Sequence, residues 1–99
     1  MSAITLFELW FGIVKSNRLA ENAEQLSAFV PTVQVLDFDD EDARVAADVR
    51  LALARAGTPI GGYDLLIASQ AIRHDLTVVT ANVREFSRVP DLRWENWEA

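Results

Sequence analysis

The chain has 99 residues, 51% of them hydrophobic and 24% charged, with a formal net charge of -6 and no cysteine. That length leaves room for one compact domain spanning residues 1–99, and the absence of cysteine excludes disulfides, thiolate zinc sites and cysteine nucleophiles. The acidity excludes broad attraction to phosphate, so a nucleic-acid partner needs a divalent cation or a local basic patch, and no stretch approaches the roughly 20 apolar residues that span a bilayer.

The N-terminus lacks the basic flank and apolar stretch of a signal peptide, and the expected location is the cytoplasm, with no membrane contact. Residues 5–15 carry Leu6, Leu9, Trp10 and Ile13 at helical spacing, with Gly12 permitting close approach of a neighbour. After the polar turn Ser16-Asn17-Arg18, a second helix is marked by Leu19, Ala23, Leu26 and Val30 and ends at Pro31. Residues 33–36 form a short strand candidate. Asp37-Phe38-Asp39 leads into a long helix with Val45, Val49, Ala52 and Leu53 inward and Gly57 as its stop. A fourth helix spans about 63–74, entered through Pro59-Ile60-Gly61-Gly62. Residues 76–80, Leu-Thr-Val-Val-Thr, make the clearest strand, followed by a break at Ala81-Asn82. A helical turn over 84–87 precedes a last strand candidate at 92–94.

Strands alternating with helices predict an α/β fold with parallel pairing through right-handed crossovers. In that topology helix N-termini and strand C-termini share one edge, where ligands bind. Glu8 early in helix one, Asp64 early in helix four, and Asn82 with Glu85 after the strand ending at Thr80 therefore aim oxygen ligands at one crevice. Crowded carboxylates repel one another unless a hard cation neutralises them. Ligation by oxygen alone suits Mg²⁺ or Mn²⁺, and such a site supports phosphodiester hydrolysis.

Each candidate also has a purely structural reading. Thr5 and Glu8 fit a Thr-x-x-Glu capping box, and Asp64 fits a helix N-terminal charge or cap. Glu85 fits an ordinary surface position. The run Asp39-Asp40-Glu41-Asp42 reads as acids favoured by the dipole of a first helical turn rather than as a metal site. Lone His74 suits the C-terminal dipole of helix four, and with no nucleophile near it a catalytic triad is excluded. Arg84 and Arg88 follow the site closely enough to contact a phosphate, or are simple surface. Trp10 and Phe11 form either core or, if both are exposed, a partner surface.

Three motifs carry a resemblance along the whole chain. The segment from Ser2 to Gly12 (SAITLFELWFG), the run GTPIG at 57–61 with Asp64-Leu65-Leu66-Ile67-Ala68, and VTANVREF at 79–86 closing with Trp94-Glu95-Asn96-Trp97 resemble the PIN-domain ribonuclease toxins of the VapC type. The resemblance implies a three-layer PIN-like fold, a short parallel sheet flanked by helices. It implies a Mg²⁺-dependent endoribonuclease (Mn²⁺ as a substitute) acting on RNA, commonly a homodimer, and silenced by a cognate antitoxin whose tail covers the site. By matching position, Glu8 and Asp64 are the second and third acids of the family's quartet and the metal ligands. Asn82 takes the position where many relatives carry the fourth acid, and Glu85 supplies a carboxylate nearby. Family members begin with a strand ending in an Asp-Thr-Asn-like motif, whereas here Met1 directly precedes the Ser2 segment, so the expected fold is N-terminally incomplete. The alternative expectation is a noncatalytic remnant that serves as an antitoxin-binding or oligomerisation module.

Overall fold

The computed structural model describes residues 1–96, and Trp97 of the closing motif lies outside them. Its elements run α1 (Ala3–Val14), α2 (Leu19–Phe29), a 3₁₀ turn (Val30–Thr32), α3 (Asp40–Arg55), α4 (Gly62–Arg73), β1 (Thr77–Thr80), α5 (Val83–Phe86) and β2 (Arg93–Asn96). Contacts group them into two units, Met1–Phe38 and Asp39–Ala99.

In the first unit, α1 starts two residues earlier than its apolar spacing predicts. Ser2 is the N-cap, and its hydroxyl accepts from the Ile4 amide at 3.1 Å. Thr5 is therefore inside the helix, which overturns the Thr5–Glu8 capping box and places Glu8 in the second turn rather than the first. Gly12 faces open space, so its expected close neighbour is not found among the described residues. Pro31 converts the end of α2 into the 3₁₀ turn, since it has no amide for a further helical bond. Residues 33–36 do not form a strand of their own. Leu36 makes one parallel bridge with Ser2, fixed by Ala3 N–H to Leu36 O at 2.8 Å and Leu36 N–H to Met1 O at 2.7 Å.

The second unit contains the larger core. Leu53 of α3, Leu65, Ala68 and Ala71 of α4, and Phe86, Val89 and Leu92 around α5 are buried together, with Val49, Ile60, Ile67, Ile72 and Val78 packed against them. Ala46, not Ala52, completes the inward face of α3, because Ala52 is exposed. Gly57 at φ 71 ends α3 as expected, with the Thr58 amide reaching back to Leu53 O at 3.0 Å. Strands β1 and β2 pair in parallel, Thr77 opposite Arg93 through Thr80 opposite Asn96, with α5 in the crossover. This is the α/β arrangement of a short parallel sheet flanked by helices.

The acids at 39–42 behave as the dipole argument requires and do more. Asp39 caps α3 by accepting from the Asp42 amide at 2.9 Å, while Asp42 returns the bond to the Asp39 amide at 3.0 Å. Asp42 is wholly buried, and its carboxylate also accepts from Arg73 at 2.8 Å and Gln70 at 3.1 Å. Arg73 extends to Asp39 and Glu41 as well, so one guanidinium at the C-terminus of α4 ties down the N-terminus of α3. Burial pushes the Asp42 carboxyl up, but the bonds from Arg73, the Asp39 amide and Gln70 together hold it below the usual carboxylate range. His74 sits at the C-cap of α4, as its dipole reading predicts, with Nε2 3.6 Å from the same carboxylate.

Candidate active site

Helix α4 begins at a backbone turn that its own side chains do not cap. Gly61 is the N-cap residue and has no side chain to offer. Asp64 occupies the third helical position, where an acid ordinarily reaches back to the N-cap amide to close a capping box. Here Glu85 of α5 takes that amide, its Oε2 accepting from Gly61 N–H at 3.4 Å. Asp64 instead turns its Oδ2 to Asn82, whose Nδ2–H donates at 2.9 Å. The cap reading of Asp64 is thus set aside, while its reading as an N-terminal charge stands, since it is an acid in the first turn of α4.

Asn82 is delivered by the end of β1. Its amide N–H donates to Thr80 Oγ1 at 2.9 Å, which turns the chain sharply out of the strand and into α5. The C-terminal edge of β1 and the N-terminus of α4 therefore meet, as the topology predicts. Burial raises the Asp64 carboxyl above its ordinary range, the negative charge of Glu85 raises it further, and the Asn82 bond acts in the opposite direction. A half-buried acid disfavoured in its charged form is a position where a cation would be welcome.

The predicted residues are distributed as follows. Asp64, Asn82 and Glu85 come together in the second unit, within reach of one another through the bonds just given. Glu8 belongs to the first unit, exposed on α1. Among the described residues no group of three or more histidine, cysteine, aspartate or glutamate side chains is gathered as a metal cage. Arg88 does something the sequence did not reveal: its Nη1 donates to Pro59 O at 2.9 Å, across 29 residues. No local pattern pairs those two positions. Of the aromatic pair on α1, Phe11 is 56% exposed under the Lys15 ammonium, whereas Trp10 is half-buried.

A PIN-domain family model matches residues 1–92, taking in α1, Asp64 and the Asn82–Glu85 segment together. The chain belongs to the PIN-domain family. Within that family its relatives are VapC proteins. It is 43% identical over 97 residues to the tRNA(fMet)-specific endonuclease VapC of Salmonella typhimurium, covering 98% of this chain and 74% of that one. Ribonuclease VapC2 of Rickettsia felis is 39% identical over 98 residues, covering 99% and 73%. Among solved structures, VapBC2 from Rickettsia felis bound to a promoter DNA fragment superposes with a TM-score of 0.90 at 40% identity, over 97% of this chain and 72% of that one. DNA-bound VapBC from Salmonella typhimurium gives 0.90 at 44% identity, over 97% and 73%. This is a VapC-type PIN domain, and the resemblance seen in the three sequence motifs holds for its fold.

Proposed function

We propose that this VapC-type PIN domain is a Mg²⁺-dependent endoribonuclease of a toxin–antitoxin pair, with Mn²⁺ able to replace Mg²⁺. The observation that carries the reading is the freeing of Asp64 from cap duty and its bond to Asn82 beside a second carboxylate. That donor set fits a hard cation. It is all oxygen, and Mg²⁺ is commonly held by one or two carboxylates with water and substrate phosphate completing its shell. Asp64 and Glu8 are the proposed metal ligands, Glu8 on the strength of the family motif alone. Glu85 adds negative charge beside Asp64. Asn82 donates to one Asp64 oxygen at 2.9 Å and offers its own amide oxygen, which that bond does not use, to a water or the ion. A bound cation would supply Lewis acidity at this place, lowering the pKa of a coordinated water and offsetting charge on the leaving oxygen. It also lets a protein of charge -6 approach a polyanion.

The test is cleavage of RNA by the purified protein with Mg²⁺ or with EDTA, starting with initiator tRNA because the Salmonella relative is named for it. Cleavage that needs Mg²⁺ and disappears in Asp64→Asn supports the reading, and cleavage unaffected by either change overturns it.

The proposed partners are a cognate antitoxin, as in the VapBC complexes, and a second copy in a homodimer, working in the cytoplasm. No helix among the described residues is long and apolar enough to cross a membrane. One observation favours a second reading, a noncatalytic antitoxin-binding or oligomerisation module. Helix α1 buries none of its residues and exposes Phe7, Phe11 and Val14 at the i, i+4, i+7 spacing of one helix face, with Leu9 exposed on another, and apolar faces of this kind mark association. Inertness toward RNA at every Mg²⁺ concentration, together with tight antitoxin binding, would select it.

A further inference from the structure

The segment that presents Asp64 is gripped twice by one short element. Arg88, just beyond α5, donates Nη1–H to Pro59 O at 2.9 Å, and Glu85 within α5 accepts from Gly61 N–H at 3.4 Å. The two contacts hold alternate residues of the same turn, and the second occupies the amide to which Asp64 would otherwise return. Within the turn Ile60 packs against the core and Gly61 O accepts from the Leu65 amide at 2.9 Å, while Pro59, Gly61 and Gly62 are exposed, so the two contacts from Arg88 and Glu85 hold its solvent side. Phe86 and Val89, at 3% and 4% exposure, anchor the gripping segment in the core, so Glu85 and Arg88 project from a rigid base.

We propose that Arg88 is a positioning residue, which acts through the Pro59 carbonyl to fix the turn at the head of α4 and so to keep the Asp64 carboxylate directed at Asn82. The proposal rests on the nuclease reading for its catalytic consequence. Its physical content, that Arg88 orders residues 59–62, stands apart from it. The competing role for an arginine at this place is direct contact with an RNA phosphate, and the two roles leave different traces. A lost phosphate contact weakens binding and lowers the salt dependence by about one counterion. A displaced reacting group lowers turnover instead, since misplacement by about 1 Å costs up to about a hundredfold.

The experiment compares wild type with Arg88→Ala in the full chain, reading Mg²⁺-dependent RNA cleavage across a salt series and amide hydrogen exchange at Gly61 and Gly62. The expected result is kcat lower by about tenfold or more with KM and salt slope unchanged, and faster exchange at both glycines. A raised KM with a shallower salt slope and unaltered kcat and exchange would overturn the proposal in favour of phosphate contact. Wild-type cleavage and exchange in the variant would overturn it in favour of plain surface. Should the wild type itself cleave no RNA, the nuclease reading falls, and the exchange data alone decide whether Arg88 orders the turn.

Discussion

Asp64 shows how little separates a structural acid from a chemical one. At the third position of a helix it would serve as a cap, and what denies it that role is a glutamate 21 residues further along the chain. Because burial and Glu85 raise its pKa, Asp64 binds a proton more tightly folded than unfolded. The stability it contributes is therefore greatest below the ordinary aspartate range and is lost as pH rises through its folded pKa. Above that pKa the charged carboxylate costs the metal-free fold stability relative to a neutral side chain. Asp64→Asn should accordingly raise the urea midpoint of metal-free protein slightly at pH 7, while abolishing Mg²⁺-dependent cleavage. A lower midpoint would show that the bond from Asn82 outweighs the cost of burial and of the Glu85 charge. Conversely, Mg²⁺ at about 100 times its Kd should stabilise wild type by about 2.7 kcal/mol and leave Asp64→Asn unmoved, measured by thermal melting.

At the scale of the element, the head of α3 and the tail of α4 are joined through Asp42. Its carboxylate caps α3, accepts from Gln70 and meets Arg73, all without solvent. Removing it in Asp42→Ala loses the reciprocal cap and leaves buried donors unmatched, and should cost about 2 kcal/mol or more in urea denaturation. The pH dependence has the opposite sign to that of Asp64. A carboxyl held below its ordinary value contributes stability above about pH 4 that disappears as pH falls through the folded pKa, so acid should loosen the α3–α4 junction in wild type and not in Asp42→Asn. Amide exchange along the first turn of α3 would report it. Gly57 offers a simpler check: at φ 71, Gly57→Ala should destabilise by about 1 kcal/mol.

For the whole molecule, stability in the second unit depends on a core drawn from α3, α4 and the α5 region. Phe86→Ala should cost about 3–5 kcal/mol, a large share of what a small domain possesses, and its chemical denaturation midpoint would show this. The loss would reach Glu85 and Arg88, which project from the same segment. Much of this architecture is legible in the chain. Apolar spacing located all four long helices, β-branched residues located β1, and Gly57 and Pro31 marked their stops, because those signals are local consequences of backbone geometry. Residues 33–36 misled because a run of four with three apolar residues, two of them β-branched, resembles a strand even where only one bridge forms. The site divides in the same way. Sequence determined which residues bear oxygen ligands and, through three motifs, the family to which they belong. Tertiary structure decided what each carboxylate does, because hydrogen-bond partners such as Glu85 for Gly61 and Arg88 for Pro59 lie 24 and 29 residues apart, beyond the range over which propensity and periodicity carry information.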